Sequence, residues 1–326
     1  MRNAELTRRQ TFALAGAGAL AAAGGLRTDA AAAGVPMQGA AVPDIYRFPL
    51  GEAEVTTVRD GAVVAEEPHK IFGINVEPET VQDLLQKNFL PPGKLENGYT
   101  QTLLNTGGEL VLFDTGNGAG RRPDAGQMRQ RLADAGVAPE AIDVVVVTHF
   151  HPDHIGGLME DGAPAFPNAR YVMGQAEYDF WSPAEKAEAE ATARVGKLVQ
   201  SNVVPLAEKT TFVQPGDTVA PGVTAVASHG HTPGHLSYMI ESGGRQLLVL
   251  GDVSNHYVLS VQRPDWHVSF DMDKEAAVAT RKEVLGMLAA DRVPFVGYHM
   301  PFPSTGFIEA AGEGFRFVPL TYQLRV

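Results

Sequence analysis

The sequence of 326 residues contains no cysteine. No disulfide can therefore form in an oxidising compartment, and no metal ligand can be a thiolate; any metal site must be built from His, Asp and Glu. Also missing is an apolar run both long and hydrophobic enough to cross a bilayer. Basic side chains are outnumbered, with 26 Lys and Arg against 38 Asp and Glu and a net charge of −12. An acidic body repels nucleic acid and anionic membrane surfaces, which argues against a nuclease or a membrane-surface protein. What is present, 44% hydrophobic and 20% charged residues, is the composition of a globular enzyme and not of a disordered chain.

Residues 1–33 read as an export signal and not as part of the fold. Arg2, Arg8 and Arg9 form a basic start, Thr11 to Leu26 is an uncharged Ala/Gly/Leu run, and Ala30 to Ala33 offers small residues for cleavage. Thr7-Arg8-Arg9 resembles a twin-arginine signal, with Phe12 one place later than the usual pattern. The expectation is an exported protein, periplasmic or secreted, whose single domain covers 40–326. Removing residues 1–33, with four basic and two acidic side chains, would leave −14.

Short strands are expected first: Tyr46–Leu50, then Glu54–Arg59 and Ala62–Ala65 joined by Asp60-Gly61 as a hairpin turn. Val144-Val145-Val146-Val147, four β-branched residues in a row, predicts a strand buried on both faces. Ser182-Pro183-Ala184-Glu185 has the form of a capping box opening an Ala-rich helix toward Gln200. Leu236–Glu241 and Gln246–Leu250 read as a hairpin over Gly243-Gly244. Lys274–Ala290 reads as the last long helix, with an N-cap from Asp271-Met272-Asp273. Interleaved strands and helices suit an α/β fold of packed sheets with helices outside.

The chemistry concentrates in four pieces, each just past a predicted strand. Thr148-His149-Phe150-His151-Pro152-Asp153-His154 is the strongest. If the strand continues through His149 and His151, both rings point to one side and reach one cation, while Asp153 and His154 turn back on the following loop. Chance rarely places three imidazoles and a carboxylate within six residues. The second piece is His229-Gly230-His231-Thr232-Pro233-Gly234-His235, the third Leu250-Gly251-Asp252, and the fourth Gly297-Tyr298-His299.

Together these four pieces resemble the metallo-β-lactamase superfamily. The resemblance implies a four-layer αβ/βα sandwich with two divalent metal ions, usually Zn2+, although His and Asp ligands also accept Mn2+, Co2+ or Fe2+. It assigns His149, His151 and His235 to one ion, Asp153, His154 and His299 to the other, and Asp252 to both. A hydroxide shared by the ions would be the nucleophile, and Asp153 or Asp252 would carry the proton to the leaving group. His231 is expected to support a ligand and His229 to be structural. The segments around His229–His235, Ala165–Ala169, Phe180-Trp181 and Gly314–Pro319 further resemble methyl parathion hydrolase with its lactonase and arylesterase relatives. This implies small-molecule lactone, ester or phosphotriester substrates, and relatives of this kind are often homodimers. Asn117–Arg122 lacks the aromatic that shapes an organophosphate pocket. Lactone and ester hydrolysis is therefore preferred, with phosphotriester hydrolysis secondary. Trp181, His256, Tyr257 and Phe302 are candidate pocket residues, with core packing as the alternative for Trp181.

Overall fold

The computed structural model describes Met37 and residues 41–321. The export signal expected over residues 1–33 lies outside the described residues, as do 38–40 and 322–326 at the two ends of the domain expected over 40–326.

Apolar, β-branched segments form β1 (Ile45–Leu50), β2 (Ala53–Glu66), β3 (Lys94–Asn105), β4 (Leu110–Phe113) and β5 (Val144–Val146). Then β6 (Met159–Glu160) and β7 (Ala163–Pro164) pair only with each other. With β8 (Arg170–Gly174) and β9 (Thr210–Val213) the first sheet is complete, in the order β1-β2-β3-β4-β5-β8-β9. The second sheet follows the chain: β10 (Thr218–Ala220), β11 (Val223–Ala227), β12 (Leu236–Ser242), β13 (Arg245–Val249), β14 (Phe295–Val296), β15 (Thr305–Ala311) and β16 (Gly314–Pro319). Six α-helices lie among the described residues: α1 (Pro78–Lys87), α2 (Met128–Asp134), α3 (Pro152–Ile155), α4 (Gln175–Trp181), α5 (Ala193–Asn202) and α6 (Lys274–Asp291).

Side chains alternate across each strand, and β5 illustrates what this does. Val144 and Val146 join the central core, where Val55 and Leu104 of the first sheet meet Val223, Tyr238 and Val249 of the second. Val145 points the other way, into a core shared with Met128 and Leu132 of α2 and Val199 of α5. On the far side, Val284, Leu285 and Leu288 of α6 pack on Leu248 and Phe295. Each fully buried side chain of this kind contributes about 1.5–3 kcal/mol from apolar burial. The layers run helix, sheet, sheet, helix, the expected αβ/βα sandwich.

Two local expectations are overturned. Asp60-Gly61 makes no hairpin: β2 runs through it against β3, and the register slips by one residue between Arg59 and Gly61, a β-bulge. The reason lies far along the chain. The buried Asp60 carboxylate accepts the backbone N–H groups of Asn117, Gly126 and Met128. Gly61 sits at φ 153°, where a Cβ would lie 2.3 Å from the Asp124 carbonyl oxygen. The helix expected from Ser182 is also broken. A 3-10 turn at Ala184–Ala187 precedes α5, and no side chain caps it. The other elements fall close to expectation. In particular, Asp273 caps α6 by accepting the Ala276 N–H at 3.0 Å.

Candidate metal centre

Loops leaving β4, β5, β11, β13 and β14 converge on one edge of the sandwich and carry Asp114, His149 to His154, His231, Asp252 and His299. Strand β5 stops at Val146, before the histidines. His149 and His151 therefore stand on a loop, and His151 is the N-cap of α3 with Pro152 at its first position. The two rings still end on one side, 4.7 Å apart. Asp153 and His154 follow within α3, whose first turn carries them toward Asp252.

Two groups of donor atoms result. His149, His151, His231 and Asp252 form one; Asp153, His154 and His299 form the other. Within each, the donor atoms lie within 4.8 Å of one another. The Asp252 carboxylate stands between them. One oxygen is 3.2 Å from His154 Nε2; the other is 3.3 Å from His231 Nε2 and 3.2 Å from His299 Nε2. His151 Nδ1 and His231 Nε2 are 2.8 Å apart.

Ring orientation is fixed from behind. Asp114 lies 2.8 Å from His154 Nδ1, Asp271 2.8 Å from His231 Nδ1, and the Gly98 carbonyl 2.9 Å from His299 Nδ1. Carboxylates and carbonyls only accept, so each of these Nδ1 atoms donates. Thr148 gives its hydroxyl proton to Asp114 and so accepts from His149 Nδ1 at 3.0 Å. The Nε2 atoms of His149, His154, His231 and His299 are thereby turned toward Asp252, where each can donate to the carboxylate when protonated or offer its lone pair to a cation.

His235 corrects the expected ligand set. Its Nε2 accepts the Asp252 backbone N–H at 2.9 Å and its Nδ1 lies 2.8 Å from the Ser228 hydroxyl. Both nitrogens are spent, and the ring lies buried behind Asp252 instead of joining the donor group. His231 takes the place assigned to His235. The turn that makes this possible needs Gly251, at φ 59°, where a Cβ would come 2.6 Å from His235 Nε2.

Charge and unmet bonding both fit metal ions here. His149 Nε2 is buried without a hydrogen-bond partner, and His154 Nε2 and Asp252 Oδ1 face each other at 3.2 Å outside good hydrogen-bond geometry, an arrangement that a cation shared between such donor atoms would satisfy. Burial holds His149 and His151 neutral, well below the usual imidazole range. Burial also pulls on His231, but hydrogen bonds to Asp252 and Asp271 carry it up to about 9. His154 and His299 resist burial in the same way, raised by Asp252 and Asp153. Asp252, which burial would raise, is held well below the usual carboxylate range by His299 and His154. In effect these buried carboxylates require positive charge.

The donors open into a cavity of about 820 Å³ lined by His151, Asp153, His231, Asp252 and His299. Val63, Phe72, Leu95, Leu198 and Phe270 supply apolar surface, and Asn97, Tyr99, Asn117 and Arg121 supply polar groups. None of the expected pocket residues lines this cavity. Trp181 is 2% exposed and packs in the core under the first sheet. His256, Tyr257 and Phe302 line an adjoining cavity of about 530 Å³ that shares Val64, Leu95 and His299 with the first. His256 is held there as an acceptor for the Val258 and Leu259 N–H groups.

Several residues gave no sequence signal. Glu177 accepts the N–H groups of Phe150 and Gly234, each at 2.9 Å. Arg281, fully buried in α6, pairs with Asp271 at 2.8 Å and so backs His231. Tyr298 stacks on His154 at 3.9 Å and donates its hydroxyl to the Asp153 carbonyl.

Comparison with known proteins bears on this geometry. The family model described as Metallo-beta-lactamase superfamily matches residues 97–295. A probable metallo-hydrolase of Mycobacterium bovis is 29% identical over 180 residues, 47% of this chain and 56% of the relative. The chain thus spans little more than half the length of that curated relative. An N-acyl homoserine lactonase of Bacillus sp is 30% identical over 111 residues, 34% of this chain and 38% of the relative. Among solved structures, AidC, a dizinc quorum-quenching lactonase in complex with a product, superposes with a TM-score of 0.78 and 26% identity, over 85% of this chain and 98% of that one. The hydrolase AbOPH superposes with a TM-score of 0.79 and 25% identity, over 87% and 99%.

Proposed function

Because the chain belongs to the metallo-beta-lactamase superfamily, we propose that it is a metal-dependent hydrolase of lactones and carboxylic esters, aryl esters among them. One observation carries the reading: imidazole lone pairs and two carboxylates, collected from separate loops, meet at the floor of a cavity with an apolar wall. His149, His151, His231 and Asp252 would hold one ion, and Asp153, His154 and His299 the other, with Asp252 shared. Bound divalent ions would supply Lewis acidity, lowering the pKa of water toward roughly 7 and favouring negative charge on a substrate oxygen.

The chain's own residues do the rest. Val63, Phe72 and Leu95 exclude water and accept an acyl or aryl group. Tyr99 stays protonated, because burial and the neighbouring Asp153 charge raise its pKa, and it offers a donor to a substrate oxygen. Asp153 is the better proton carrier of the two carboxylates. Its side chain is 21% exposed to the cavity, whereas that of Asp252 is 4% exposed and tied to Asn255 at 2.9 Å. Export through residues 1–33 and phosphotriester hydrolysis as a weaker activity belong to the same proposal.

The test is a substrate panel on chelator-treated protein, then on protein reloaded with Zn2+, Mn2+ or Co2+. Lactone and aryl-ester turnover should vanish and return. A phosphotriester preferred a hundredfold in kcat/KM, about 2.7 kcal/mol, would reverse the order of substrates. Absence of turnover on the whole panel in every metal state would leave a metal-binding protein without this activity.

A further inference from the structure

We infer that Glu177 is a positioning residue for one half of the metal centre, fixing the distance between the His149–His151 loop and the His231 loop; this rests on the metal-site reading above. Glu177 stands in the first turn of α4 and is fully buried. Its two carboxylate oxygens are divided between the loops. Oε1 accepts the N–H of Phe150, the residue between His149 and His151, at 2.9 Å. Oε2 accepts the N–H of Gly234, three residues past His231, also at 2.9 Å. Glu177 forms no ion pair within 4 Å among the described residues; burial raises its pKa, and the Phe150 and Gly234 N–H groups, together with the Thr232 side chain and the His231 charge, act against that rise. The loop is pressed close to the helix, since a Cβ on Gly234 would come 2.0 Å from the Glu177 nitrogen.

The bond pair reaches one donor group and not the other. His154 is held by Asp114, and its carbonyl accepts the Thr115 N–H and hydroxyl, each at 2.9 Å. The Asp153 carbonyl accepts from Tyr298, and His299 donates to Gly98. None of these contacts passes through Glu177. A carboxylate is required because both partners are donors. A glutamine offers one acceptor and turns its NH2 toward the other N–H, which frees one loop.

The experiment measures Zn2+ affinity of the full chain by competition with a chromophoric chelator, in two backgrounds that each keep one donor group. In His299→Ala, adding Glu177→Gln should weaken the remaining ion roughly tenfold or more. In His151→Ala, the same change should matter by less than about twofold. Gly234→Ala disturbs the same contact from the opposite side and should show the same selectivity, even where Glu177→Gln folds poorly. Equal losses in both backgrounds, or no loss in either, would overturn the inference. Wild-type protein that takes up two Zn2+ ions alongside such a result refutes the role of Glu177 alone, whereas wild-type protein that takes up none refutes the metal site as well.

Discussion

His231 and His235 are four residues apart in one loop, both are buried, and their replacement should have opposite consequences for metal content. In His235→Ala, the Asp252 N–H loses its acceptor and the Ser228 hydroxyl loses a partner. An orphaned buried donor costs about 1–3 kcal/mol. The cavity left by a fully buried ring adds to this, for a total of about 3 kcal/mol or more. That corresponds to a fall in melting temperature of roughly 6–12 °C, measured with chelator present so that only the fold is read. Metal stoichiometry should be unchanged, because the ring presents no lone pair to the centre. In His231→Ala, a donor of the first group disappears. Affinity for one ion should fall on the order of a hundredfold or more, beyond what loss of an outer partner produces. The Asp271–Arg281 pair behind it survives, but the metal-free fold loses a ring held between the Asp252 and Asp271 carboxylates, so melting in chelator should fall in both variants and metal content is what separates them. Metal content by elemental analysis and melting in chelator give both readouts on the same samples. A His235→Ala protein that has lost an ion, beside a His231→Ala protein that keeps both, would refute the assignment.

Further outcomes follow from the same geometry. Saturating divalent metal, at a hundred times its Kd, should stabilise the fold by about 2.7 kcal/mol per ion, read as a denaturation curve with and without chelator; coincident curves would count against a structural hold on the ions. Trp181→Phe should cost about 1–3 kcal/mol of stability and leave KM for an aryl ester within about twofold. Phe270→Ala, on the cavity wall, should raise KM, and the reverse pattern would return the indole to the substrate. His256 is held neutral by burial, its pKa lowered to about 3. The unfolded chain therefore binds its proton first, near 6.5, and the stability His256 contributes is present above that pH and lost as pH falls toward 3. Stability of wild type measured in chelator should accordingly drop by roughly 1 kcal/mol more per pH unit below about 6.5 than that of His256→Asn; parallel curves would contradict this.

The layered fold was legible because its signals are local. Val144 to Val147 states a strand buried on both faces, and Gly243-Gly244 between two apolar runs states a hairpin. The histidine-rich loops were legible because few other uses explain so many imidazoles at strand ends. The choice between His231 and His235 was not. Both have two nitrogens and the same neighbours, and what separates them is an N–H seventeen residues away, aimed by a glycine in the left-handed region. The same holds for Asp60-Gly61, which suits a turn and a bulge equally until its acceptor role toward Asn117, Gly126 and Met128 is known. Trp181 and Tyr178 share helical spacing, and packing beneath the sheet explained the spacing without a substrate.

The centre draws on both sheets at once. His149, His151, Asp153 and His154 follow a strand of the first, and His231, Asp252 and His299 follow strands of the second. Each donor group includes members from the two sides, so an ion seated in either one rivets the halves of the sandwich together. Neither half cut from the chain would keep a complete set, so separating the two sheets would by itself dismantle both donor groups.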